Sequence, residues 1–142
     1  PILAAGPGEG DLLRRVVGAR KGSRGATLDP PLSFRLFCAI AHECQLFLGN
    51  DSAPGHIAAA VGTPACVLFG DTRVSVWRLL GPGHRPLQPD LPCAEACVRP
   101  DACAPASSRY CAHRTTVDEV LVTLAEMLAA ASPARPPAAD AR

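Results

Sequence analysis

Residues 47–64, FLGNDSAPGHIAAAVGTP, constrain the fold of this chain more than any other stretch. A buried strand over residues 45–49 runs into a small polar turn, Asn50-Asp51-Ser52, and a short helix follows at once over about residues 54–61. Gly62 closes that helix, and Thr63-Pro64 leads into a second apolar strand over residues 65–69. Strand, turn, helix and strand in that order make a parallel α/β unit. Ligands of such sheets bind beyond the carboxyl ends of the strands, and Asp51 and Ser52 stand at one such end. The small residues Gly49, Ala53 and Gly55 would let a ligand approach the backbone closely. Free N–H groups at the helix start favour a phosphate. Asn-Asp-Ser before a proline also reads as a plain helix cap, with Pro54 near the first helical position. Spacing alone leaves cap and ligand site as alternatives.

The flanking sequence repeats the alternation of strand and helix. Residues 2–5 are an apolar strand, and Gly6-Pro7-Gly8 turns the chain. Leu12, Leu13, Val16 and Val17 share one face of a helix over about 9–19. Residues 20–25 form a basic, solvated loop, and 26–28 a short strand. Asp29-Pro30-Pro31 starts a helix over about 31–43, with Leu32, Leu36 and Ile40 on one face. Beyond the central unit, 72–80 reads as a short helix carrying Trp77, and 85–88 as an edge-like strand. Thr116-Val117-Asp118-Glu119 is a capping box. It opens a helix to about residue 130, whose apolar face is Val117, Val120, Leu121, Leu124 and Leu128. The pattern predicts an α/β fold, a Rossmann-like doubly wound parallel sheet, over residues 1–131. A loop rich in proline and cysteine lies within it at 89–114, and the Ala/Pro tail 132–142 is expected to be disordered.

Composition excludes several classes of function. Apolar residues make up 48% of the 142 and charged residues 19%, a globular balance. The formal net charge of +1 gives no bulk pull toward nucleic acid. No run of about 18 apolar residues exists to span a membrane. The start has no basic region before an apolar run, so it does not read as a signal peptide. It also lacks a methionine and opens directly on a core strand, so the chain is expected to be the later part of a longer protein.

The stretch GNDSAPGHIAAAVGTPACVLFG closely resembles the signature of the bacterial heptosyltransferases, glycosyltransferases that use ADP-heptose. Their pattern is a strand, Asn-Asp-Ser/Thr-Gly, two variable residues, His-Leu-Ala-Ala-Ala, Gly-Thr-Pro, a strand and Phe-Gly. The likeness runs over residues 46–72. Ala53 stands where the family usually has Gly, and Asp71 where Pro is common. The resemblance implies two Rossmann-like domains facing across a cleft, the GT-B arrangement. This chain would be most of the second, donor-binding domain. The N-terminal domain, with the acceptor site and catalytic base, would lie outside it, so no catalytic residue is assigned here.

On this resemblance Asp51 contacts the donor sugar. A carboxylate there can accept hydrogen bonds from sugar hydroxyls and stabilise positive charge developing on the anomeric carbon. Ser52, Ala53, Gly55 and His56 would cradle the diphosphate, Pro54 having no N–H to give. His56 either meets phosphate or fixes the turn. Glu9 matches an acidic residue that contacts the nucleoside, although a Glu in a first helical turn is also a favourable dipole partner. Thr27 ends a strand where the family often has a small hydroxyl residue. Gly70 and Thr72 match Phe-Gly-x-Thr, with Asp71 in place of the usual Pro, which leaves the loop shape there open.

Four of the seven cysteines, Cys93, Cys97, Cys103 and Cys111, share one loop with His113. The spacing of the first pair suits zinc, that of the second is too wide for a standard knuckle. The family often carries cysteines here, and some relatives bind iron through four. A structural zinc or iron, free thiols and disulfides all remain open. Cys38, Cys44 and Cys66 fall in helix and strand patterns and are expected in the core.

The expected function is therefore an inverting, heptosyltransferase-like glycosyltransferase of lipopolysaccharide biosynthesis. It would move a sugar from ADP-heptose or a related nucleotide sugar to a saccharide or lipid-linked acceptor, needing no cofactor for transfer. The expected location is cytoplasmic, or peripheral at the inner membrane, and the fragment alone is expected to be inactive. The alternatives are a non-catalytic Rossmann-type nucleotide-binding module and a metal-binding interaction module built on the cysteine loop.

Overall fold

The structure, a computed structural model, describes residues 1–19, 25–28, 32–70, 72–89 and 115–131. The chain divides into two compact units, Pro1–Ala39 and Ile40–Arg142. All described strands pair in parallel, in one two-stranded and one three-stranded sheet, so the expected α/β class holds.

In the first unit, β1 (Ile2–Ala4) pairs with β2 (Ala26–Leu28), with Leu3 opposite Thr27. Helix α1 (Gly10–Gly18) lies between them in sequence, as its apolar spacing predicts. Among the described residues of this unit only Leu13, in that helix, is buried. Helix α2 (Phe34–Glu43) begins later than expected. Leu32 and Ser33 are not helical. The Ser33 hydroxyl accepts the Leu36 N–H at 3.3 Å, the bond an N-cap side chain makes, so the helix starts behind the serine rather than at Pro31. Asp29, Pro30 and Pro31 lie outside the described residues.

In the second unit the order is β3 (Phe47–Asn50), β4 (Ala65–Leu68), β5 (Arg85–Leu87), with β4 in the middle. Ala65, Cys66 and Val67 are buried, as a central strand with two neighbours requires. Ala65, Val67 and Phe69 form the core, with Phe47, Val74 and Leu79 packed against it. Pro86 can sit in β5 because, among the described strands, β5 lies at the edge of the sheet. Helix α3 (Ala53–Ala60) crosses from β3 to β4, and α4 (Val74–Trp77) is a single turn. Helix α5 (Val117–Ala130) starts at the expected capping box. Thr116 Oγ1 accepts the Glu119 N–H at 3.2 Å, and Glu119 Oε2 accepts the Thr116 N–H at 2.6 Å. Among the described residues no helix is long and apolar enough to cross a membrane.

Candidate functional site

The carboxyl ends of β3, β4 and β5 converge on one hydrogen-bonded cluster. The register sets Asn50 beside Leu68, and the Asp51 N–H continues the ladder by donating to Leu68 O at 3.0 Å. That places half-buried Asp51 just past the end of β3. The Thr72 hydroxyl donates to its Oδ2 at 2.6 Å, the short length of a bond to a carboxylate. Thr72 lies past β4. Its own carbonyl accepts from Gln88 Nε2 at 2.9 Å, and the same nitrogen donates to Gly70 O at 3.1 Å. Gln88 lies past β5, so each strand of the sheet contributes to the cluster. The position is the one where parallel α/β sheets take ligands.

Asp51 is not the helix cap. Ser52 occupies the N-cap position with extended backbone and makes no side-chain capping bond. Its hydroxyl donates instead to Asn50 O at 3.1 Å. The cap reading of the Asn-Asp-Ser turn therefore attaches to Ser52, and the Asp51 carboxylate is turned to the Thr72 hydroxyl. Ala53 is the first helical residue, and His56 is exposed one turn in. The Gly55 N–H donates to Ser52 O at 3.1 Å, so it is not a free donor as expected.

The glycines of the motif serve packing. A Cβ on Gly49 would lie 2.7 Å from the Phe47 ring, which folds back over that position. A Cβ on buried Gly55 would lie 3.2 Å from Val67 Cγ2. At both positions the Cβ direction is filled by a neighbouring side chain. Gly62, at φ 84°, closes α3 as expected. Thr63 is buried and donates from its hydroxyl to Ala41 O, at the end of α2, over 2.6 Å. His42 Nδ1 lies 3.0 Å from Val61 O. The Gly-Thr-Pro segment therefore fastens the turn after α3 to the end of α2.

In the first unit, Glu9 holds the N-cap position of α1 without a side-chain capping bond. Its carboxylate accepts the Gly6 N–H at 2.8 Å, closing the turn after β1. Thr27 is exposed within β2. Cys93, Cys97, Cys103 and Cys111, with His113, lie outside the described residues, as does Asp71. Among the described residues no cluster of three or more potential metal ligands forms. Cys66 is buried as expected, which raises its thiol pKa and keeps it protonated. Cys38 and Cys44 are only half-buried.

A cleft of about 290 Å³ opens elsewhere in the second unit, over Val67 and Phe69 and beside His84 and Arg85. Asp51, Thr72 and Gln88 do not line it. Burial lowers the His84 pKa from its ordinary value, and a hydrogen bond from its ring to the Leu80 backbone carbonyl opposes this. Sequence reading singled out Asp51 and Thr72 but gave Gln88 no role. A carboxamide at the end of an edge strand carries no spacing signal.

The sequence profile of glycosyltransferase family 9 (heptosyltransferase) matches residues 4–106. Two curated proteins are similar over part of the chain. One is lipopolysaccharide heptosyltransferase 3 of Escherichia coli, 38% identical over 79 residues. The other is the protein of that name from Escherichia coli strain K12, 42% identical over 84 residues. Each alignment covers 54% of this chain and 23% of the relative, so the chain spans well under half of their length. No solved structure gives a significant match.

Proposed function

The chain belongs to glycosyltransferase family 9, the heptosyltransferase family, and on that premise we propose that it carries the donor-binding part of a sugar transferase. The donor is ADP-heptose or a related nucleotide sugar, and the acceptor a saccharide or lipid-linked saccharide of lipopolysaccharide synthesis. The names of the two similar proteins support this choice. The observation that carries the reading is the Asp51–Thr72 pair at the carboxyl edge of the sheet. A carboxylate fixed there by one hydroxyl is arranged to accept hydrogen bonds from others, as a sugar offers. The start of α3 follows directly and favours the adjoining diphosphate through its dipole, by about 0.3–2 kcal/mol. Sugar and diphosphate are adjacent in the donor as Asp51 and α3 are adjacent in the chain.

Transfer inverts the anomeric centre, and the base that deprotonates the acceptor comes from an N-terminal domain of the same protein. Residues 1–142 alone therefore bind donor without turning it over. The enzyme works in the cytoplasm, at the inner face of the membrane that carries its acceptor. The test is calorimetric titration of the full-length protein with ADP-heptose, ADP and an unrelated uridine diphosphate sugar. ADP-heptose and ADP should bind and the uridine nucleotide should not. Asp51→Ala should weaken ADP-heptose and spare ADP. Absence of ADP-heptose binding by the folded wild-type protein would remove this reading.

A further inference from the structure

We propose that Gln88 is a positioning residue for the donor sugar, holding the turn after β4 so that the Thr72 hydroxyl stays on Asp51. This rests on the donor reading of the strand-end cluster and deepens it. Gln88 Nε2 carries two hydrogens and meets two carbonyls, Gly70 O at 3.1 Å and Thr72 O at 2.9 Å. Two bonds from one nitrogen to carbonyls two residues apart fix those peptide groups relative to each other. They also fix them relative to β5, whose end carries Gln88. The Thr72 Cα is thereby placed, and with it the hydroxyl that donates to Asp51 Oδ2 at 2.6 Å. Gln88, Thr72 and Asp51 are all half-buried, so water competes only partly for these bonds.

The consequence for the ligand is specific. A carboxylate rotates about its last torsion unless one oxygen is held. With Oδ2 held by Thr72, the carboxylate plane is fixed, and a ring hydroxyl meets acceptor lone pairs of set direction. The diphosphate, addressed by α3, does not depend on this chain of bonds. Gln88 therefore acts on the sugar end of the donor and not on the nucleotide end, and it acts only through Thr72. The variants used below each lose one or both of these bonds. Leucine has no donor, glutamate sets a carboxylate against two carbonyl oxygens, and asparagine is one methylene too short to reach both.

The experiment uses the full-length protein and two independent readouts. The first needs no ligand: the Thr72 side-chain rotamer, from three-bond couplings to its labelled methyl group. Wild type should show one rotamer, Gln88→Leu an average, and Gln88→Asn an intermediate. The second is calorimetric affinity for ADP-heptose and for ADP, with melting temperature as the folding control. Gln88→Leu should bind ADP-heptose about tenfold more weakly and ADP within about twofold of wild type. Combined with Thr72→Val, it should cost nothing beyond Thr72→Val alone. A single Thr72 rotamer retained in both Gln88 variants overturns the inference, and so does full additivity in the double variant. If wild type does not bind ADP-heptose, the donor reading falls, and the rotamer measurement still decides whether Gln88 positions Thr72.

Discussion

At the scale of single residues, Asp51 and Thr63 have hydrogen bonds of equal length and opposite purpose. Asp51 is half-buried at a strand end, with its carboxylate held by Thr72. Asp51→Asn keeps the shape and an acceptor for that hydroxyl but removes the charge. Because Ser52 occupies the cap position, any effect of the change is not a capping effect. A hydrogen bond to a charged group contributes about 1.5–3 kcal/mol. The variant should keep its melting temperature and ADP affinity and lose most donor turnover. Full activity of Asp51→Asn would remove the residue from the site. Thr63 is buried and serves only the fold, its hydroxyl satisfying Ala41 O. Thr63→Val fills the same volume but removes one of the two donors to that carbonyl, the Cys44 N–H remaining, at a cost of about 0.5–1.5 kcal/mol. Urea unfolding should show this loss, while Thr63→Ser should cost less because the hydroxyl stays.

At the scale of elements, α3 and α5 are set by different forces. Helix α3 lies close to β4, with Gly55 facing Val67. Alanine is a better helix former than glycine by about 0.8–1 kcal/mol. At Gly55 its Cβ would meet Val67 Cγ2 at 3.2 Å, and overpacking costs about 1–3 kcal/mol. The packing cost should win, so Gly55→Ala should lower the melting temperature where helix propensity alone would raise it. Helix α5 is held at its start by the capping box. The Glu119 pKa is lowered, first by the Thr116 N–H and then by the Thr116 hydroxyl. The folded helix thus prefers the ionised form. Its contribution is present above the unfolded pKa of a glutamate and is lost as pH falls through the lower, folded value. Cα chemical shifts of α5 should report fraying at its first turn on acidification. Glu119→Gln, which keeps an acceptor but cannot titrate, should abolish that pH dependence.

At the scale of the whole molecule, the family match runs over residues 4–106 and takes in strands of both units. The alignments cover 23% of each similar protein, so the likeness speaks only for that part of them. The cysteine loop carries its own proposal, one structural zinc or iron bound through Cys93, Cys97, Cys103 and Cys111. Elemental analysis of protein purified without added metal should find about one equivalent, and Cys93→Ser with Cys97→Ser should abolish it. Less than about a tenth of an equivalent in the wild type would end that proposal.

Local chemistry was enough to read the elements of this chain. Apolar spacing marked α1, α2 and α5, the capping box marked the start of α5, and Gly62 marked the end of α3. The parallel α/β class followed from their alternation, and Asp51 and Thr72 were legible as strand-end residues through the motif. The partnerships were not legible. Parallel neighbours are joined through a crossover, so residues that meet at the strand ends lie far apart in sequence. Thr72 reaches Asp51 across 21 positions, and Gln88 reaches Gly70 across 18. Periodicity carries no information at that range. The packing at the glycines was not legible for a related reason: a small residue looks the same in sequence whether a ligand or a side chain lies over it. Only the register of β3, β4 and β5 decided that Phe47 and Val67 occupy those spaces, and that the Asp51 carboxylate faces a hydroxyl rather than the end of a helix.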